Sequence, residues 1–149
     1  MDITGNMLAL LLALISGVLM AIQGSLNSVL SKVIGLLEAT FVVHVIGTAI
    51  LLVLLFVPKL AKGNLLAWSQ APWYSYLGGL LGVLIIYLVA ASIPAVGVCN
   101  ATTAIIVGQV LTAMLIDHFG GFGLERVPYS WSQFIGLILL AVGAKLLLR

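Results

Sequence analysis

The sequence predicts an all-α integral membrane protein with five transmembrane helices. Composition, the lengths of its apolar runs and the shortness of the segments between them point to this class. Of 149 residues, 63% are hydrophobic and 7% charged, and the mean hydropathy is +1.31, values outside ordinary water-soluble usage. Apolar runs cover about residues 7–30, 38–57, 73–93, 95–116 and 131–148. At about 1.5 Å per residue each reaches roughly 27 to 36 Å, enough for a hydrocarbon core of about 30 Å. Residues 1–149 thus read as a single transmembrane domain.

The first run starts after Met1-Asp2, which supply no basic n-region, and it outlasts a signal peptide's apolar stretch, so it reads as a retained helix. Ser16, Met20, Gln23, Asn27 and Ser31 recur at spacings of three or four, with Gly17, Gly24 and Ser28 beside them. One face of the helix is therefore small and polar, and in lipid such a face must meet protein or water. Helix packing and a cavity lining both account for it. Gln23 and Asn27, two amides one turn apart, are the foremost cavity candidates.

Glu38 opens the second run, where the helix dipole favours a carboxylate, and Lys32 is close enough in sequence to pair with it. His44 follows six residues later. A mid-membrane imidazole needs a hydrogen bond, for which Thr40 is the local partner; alternatively His44 and Glu38 hold a cation or relay protons. Trp68, Trp73, Tyr74 and Tyr76 gather at the end of the segment 58–72 as an interfacial aromatic belt.

The apolar stretch from Trp73 to Ile116 is too long for one crossing, and its interruption around Pro94 places a tight helical hairpin there. In the third run Tyr87 is a candidate wall residue, with packing as its alternative. The fourth holds Asn100, Thr102, Thr103, Gln109 and Thr112, with Thr102, Gln109 and Thr112 on one face, and Cys99 reads as a small buried side chain. Asp117 follows at the helix end whose dipole disfavours an anion, so Arg126 across the loop is its expected partner and Gly120 a left-handed helix stop. Asp117 has gating or proton entry as its functional reading.

The net charge of +2 is spread over isolated Lys and Arg, which leaves no footprint for nucleic acid. One cysteine gives neither a disulfide framework nor a metal pair. No HExxH, nucleophile elbow, phosphate-cradling loop or paired deep carboxylates occur, so no enzymatic activity, cofactor or metal is expected. Five spans put the termini on opposite sides of the membrane. Lys59, Lys62 and Arg126 then fall on the N-terminal side, against Lys32, Lys145 and Arg149 on the other. A count of three against three gives the positive-inside rule nothing to act on, so either the chain inserts both ways, as a dual-topology chain does, or one orientation wins through folding.

Several segments together resemble a known family. Gly17, Gln23, Asn27, Leu30 and Gly35, the run EATFVVHVIGT from Glu38 to Thr48, WYSYLGGLLG from Trp73 to Gly82, GQVLTAMLIDHFG from Gly108 to Gly120, and GLILLAVG from Gly136 to Gly143 follow in order. They are similar to the YdcZ-like half-size, five-helix branch of the drug/metabolite transporter (DMT) superfamily. The resemblance implies half of an inverted-repeat transporter that recreates the full unit as an antiparallel homodimer. Gly136 and Gly143 are similar to the glycines of the dimerisation helix in the small multidrug-resistance transporters, and packing within one chain is their alternative. Those transporters carry a central glutamate in their first helix, whereas Ser16 to Asn27 contains no acid here. Coupling is therefore expected at Glu38, His44 or Asp117, with Glu38 and Asp117 foremost, and the substrate on Gln23, Asn27, His44, Tyr87, Asn100 and Gln109.

The expected function is a secondary-active exporter of a small polar or amphipathic metabolite, multi-pass in the bacterial inner membrane. Its partners are the small-molecule substrate, membrane lipid and a second copy of the chain. The alternative is a non-transporting membrane partner or assembly subunit whose polar stripes only bind other helices.

Overall fold

The computed structural model describes residues 3–57 and 60–148, with the side chains of residues 3–5 left aside. Met1, Asp2, Lys59 and Arg149 lie outside the described residues, and with them two of the six cations in the orientation count. Five α-helices follow one another: α1 Ile3–Ile34, α2 Leu36–Leu55, α3 Leu77–Val96, α4 Val98–Phe119 and α5 Trp131–Leu147. Short 3-10 turns occupy Leu65–Gln70, Trp73–Tyr76 and Gly121–Gly123, and no strand occurs among the described residues. Four of the helical segments are long and apolar enough to cross a membrane. The 17 residues of α5 reach about 26 Å, at the short end of the spanning range.

The chain forms two compact units, Met1–Pro94 and Ala95–Arg149. In the first, α1 packs on α2; in the second, α4 packs on α5. What is buried inverts the pattern of a water-soluble core. The buried apolar residues are Ala39, Ala90, Ala101 and Ala144, the buried polar ones Asn27, Ser28, Ser31, Thr40 and Thr103, while Leu, Ile, Val and Phe side chains dominate the outside. This is the arrangement lipid demands, since burying leucine gains little where the solvent is hydrocarbon and small residues let helices approach. The hydroxyls of Ser16, Ser25, Ser31, Thr40 and Ser92 donate to carbonyls three or four residues earlier, at 2.8–3.0 Å. Each helix thus satisfies these groups itself.

Two helix boundaries differ from the sequence expectation, for the same reason. The interval expected between residues 30 and 38 is a single residue, Gly35, and the break expected at Pro94 falls at Gly97. Pro94 lies inside the last turn of α3, where the helix absorbs it. Gly35 has φ 99° and ψ 157°, and Gly97 φ 84° and ψ 162°, a backbone region that only glycine enters without strain. Ser31 and Lys32 remain helical, with the Ser31 hydroxyl on the Ser28 carbonyl.

The interfacial aromatics fold on one another before α3 begins: the Tyr76 hydroxyl donates to the Trp68 carbonyl, and the two rings meet edge-on at 6.0 Å. Gly120 ends α4 in the left-handed conformation, φ 64° and ψ 42°, as expected. At the start of α5 a capping box closes. Ser130 N–H donates to Gln133 Oε1 at 2.7 Å, and Gln133 N–H returns to Ser130 Oγ at 3.4 Å.

Candidate functional site

The polar stripe of α1 divides into two parts. Toward Gly35 it is packed: Asn27 is 7% and Ser28 2% exposed, and Gly24 admits the Val89 and Ile93 side chains of α3. A Cβ on Gly24 would come within 2.8 Å of Val89 Cγ1, so glycine here serves close helix approach. Toward the N-terminus the stripe opens. Ser16, Met20, Gln23 and Asn27 line a shallow groove of about 410 Å³, with Leu19, Ile22 and Leu26 completing it. All of these residues belong to α1, which therefore supplies one wall. Among the described residues, neither the Gln23 nor the Asn27 amide has a hydrogen-bond partner, in contrast to the self-satisfied hydroxyls beside them.

His44 is half-buried on α2. Its partner is Thr40, though through the backbone: Nδ1 lies 2.8 Å from the Thr40 carbonyl, and the Thr40 hydroxyl is occupied by the Leu36 carbonyl. Nε2 looks toward α3, 4.0 Å from where a Cβ on Gly82 would stand. Glu38 is exposed and does not join His44, since six residues place the two about 120° apart around the helix and nearly two turns along it. Nor does Lys32 reach it: no Lys32–Glu38 ion pair forms among the described residues. The Glu38 carboxylate turns back over Gly35 instead, where any Cβ would collide with it. Glu38 is the third residue of α2, and the unpaired N–H groups of the first turn draw an anion there. Tyr87 lies on α3, more exposed than a packed core aromatic.

In the second unit, Asn100 occupies the first turn of α4 half-buried, and Gln109 lies exposed farther along. Cys99, expected to be buried, is exposed, because α4 turns Ala101 and Thr103 inward instead. Asp117 makes no ion pair with Arg126. The Arg126 Nε–H donates to the His118 carbonyl at 2.8 Å, and Val127 N–H to the Asp117 carbonyl at 2.8 Å. The orphaned carbonyls at the end of α4 claim these donors, while the Asp117 carboxylate stays exposed. The His118 ring leans on Tyr129 at 4.6 Å, with its Nδ1 buried and unpartnered. On α5, Cβ atoms added to Gly136 and Gly143 would meet nothing within 4 Å.

Sequence reading missed one regularity. Gly35-Leu36-Leu37-Glu38-Ala39-Thr40 and Gly97-Val98-Cys99-Asn100-Ala101-Thr102 share Gly-x-x-x-Ala-Thr at the same place after a helix break. The repeated Ala-Thr pair, five residues after Gly by its Thr, was the available signal. It pairs Glu38 with Asn100 by position. Gly24 and Gly82 were recognisable as small residues, but their neighbours on other helices were not.

A family model described as "Putative inner membrane exporter, YdcZ" matches residues 8–146, a range that takes in all but the ends of the described helices. No curated protein and no solved structure matches the chain. The several apolar helices of the chain agree with that description, and the chain belongs to the DMT_YdcZ family.

Proposed function

We propose that the chain is one half of a secondary-active exporter of a small polar or amphipathic metabolite, working as an antiparallel homodimer in the bacterial inner membrane. The observation that carries this reading is the unpartnered amide pair Gln23 and Asn27 in a groove walled by α1 alone. Amides held without partners at membrane depth are costly, and a polar cargo or water entering the groove offsets that cost. The second wall is assigned to an inverted copy, in keeping with the even split of Lys and Arg and with the open faces at Gly136 and Gly143. His44, Tyr87, Asn100 and Gln109 complete the substrate-binding set, and Glu38 is the leading ion-coupling group, with Asp117 second.

The test is transport by the purified chain in proteoliposomes over a charge-diverse compound panel. Glu38→Gln should abolish pH-driven flux while the dimer stays intact; unchanged proton-coupled flux removes Glu38 from the mechanism. The second reading, a non-transporting membrane partner, is favoured by the packed part of the α1 stripe at Gly24 and Ser28. It predicts a dry groove and no flux for any compound.

A further inference from the structure

The chain has two histidines, His44 on α2 and His118 on α4, and they are held differently. Nδ1 of His44 faces the Thr40 carbonyl at 2.8 Å. A carbonyl only accepts, so Nδ1 carries the hydrogen, and in the neutral ring Nε2 keeps a bare lone pair. That acceptor is well anchored: Thr40 is 3% exposed, and its own hydroxyl is bound to Leu36 at 2.8 Å. The backbone therefore sets the tautomer before any ligand arrives.

Nε2 points at the place where α3 has no side chain, Gly82, and a Cβ there would sit 4.0 Å away. Among the described residues no group bonds to Nε2. The buried unpartnered side-chain atom among them is Nδ1 of His118, so Nε2 of His44 is reachable from outside. A half-buried acceptor facing hydrocarbon without a donor is unfavourable, and the donor must come from water or from cargo. The charge pattern admits a cationic cargo. Glu38 is the charged side chain of α2 and α3 has none, so no cation on these two helices repels an ammonium group. Charge-assisted hydrogen bonds are also the stronger ones.

We propose that His44 Nε2 is the hydrogen-bond acceptor through which this chain selects a protonated amine bearing an N–H, over an equally charged quaternary ammonium. The proposal rests on the exporter reading above and names the substrate class of that site.

The experiment is ¹⁵N NMR on the full chain, labelled at histidine and reconstituted in lipid, at about pH 8, where an ordinary imidazole is neutral. His118→Gln assigns the two rings. His44 should show a protonated Nδ1 and a bare Nε2. Methylammonium should shift the Nε2 resonance saturably, while tetramethylammonium, with the same charge and no N–H, should leave it in place. Gly82→Val should keep the tautomer and lose the methylammonium response, because its methyl groups cover Nε2. An Nε2–H tautomer, equal responses to the two cations, or no response to either overturns the proposal. Parallel flux measurements separate the two ideas. A methylammonium response without flux of any panel compound sinks the exporter reading and leaves the acceptor site standing, whereas flux without the response does the reverse.

Discussion

The two glycine breaks make the same turn with different chemistry beside it. Gly35 and Gly97 share a backbone conformation, and each is followed four residues later by a buried alanine, Ala39 at 1% and Ala101 at 4% exposed. Ala39 N–H and Ala101 N–H donate to the Gly35 and Gly97 carbonyls at 3.0 and 3.1 Å. The third helical residue differs: acidic Glu38 after the first break, neutral Asn100 after the second. The surroundings differ with it. The Glu38 carboxylate covers Gly35, while a Cβ on Gly97 would meet nothing within 4 Å. The shared part is what a helix break requires, and the acid at the first break goes beyond it.

Alanine substitution should reveal this asymmetry. Gly35→Ala has the largest expected effect, about 2–4 kcal/mol of destabilisation, because it combines a strained positive φ with displacement of the Glu38 carboxylate from the helix N-terminus. Gly97→Ala carries backbone strain alone and should cost about 1–3 kcal/mol. Unfolding of the purified protein in mixed detergent measures both. If Gly97→Ala is the worse of the two, the second break has a packing role that its open surroundings do not reveal. A double-mutant cycle sharpens the point: with Glu38→Ala already present, the extra cost of Gly35→Ala over Gly97→Ala should shrink to within about 0.5 kcal/mol. An undiminished gap would mean that the carboxylate is not the cause.

How much of this was legible in the sequence follows from what hydrophobicity encodes. Five apolar runs gave five helices because each is bounded by real loops or by glycine, and the Gly120 stop was readable since its left-handed role depends on glycine itself. The breaks were less legible. Proline is the stronger punctuation mark in water, so Pro94 drew attention from Gly97, although a proline in a helix's last turn removes one hydrogen bond and need not reverse the chain. The first apolar run ends near residue 30, yet the helix continues to Ile34, with the Ser31 hydroxyl satisfied by its own helix. At the candidate site, Gln23 and Asn27 were legible as unusual polar residues on one face. That Asn27 would be packed and Gln23 open was not, because this depends on where Val89 and Ile93 arrive. Ion pairs were the weakest inference. Proximity in sequence suggested Lys32 with Glu38 and Arg126 with Asp117, but the Glu38 carboxylate lies over Gly35 and Arg126 is taken by the His118 carbonyl at the end of α4.

The smallest expected stability effect bears most directly on function. Glu38→Asn gives the first break the residue type of the second, and the backbone conformation of Gly35 needs no acid, since Gly97 adopts nearly the same one beside Asn100. Asparagine retains an oxygen able to approach the N–H groups of the first turn, so the loss is confined to charge–dipole attraction at an exposed position, about 0.3–1 kcal/mol and less in salt. Stability in detergent should thus barely move. Flux driven by a pH gradient should nevertheless disappear in this variant, because an amide cannot take up and release a proton in the way a carboxylate does. Loss of flux without loss of fold assigns the acid at the first break to coupling. A variant that transports normally makes the two breaks equivalent in function as well as in backbone, and moves the search for the coupling group to Asp117.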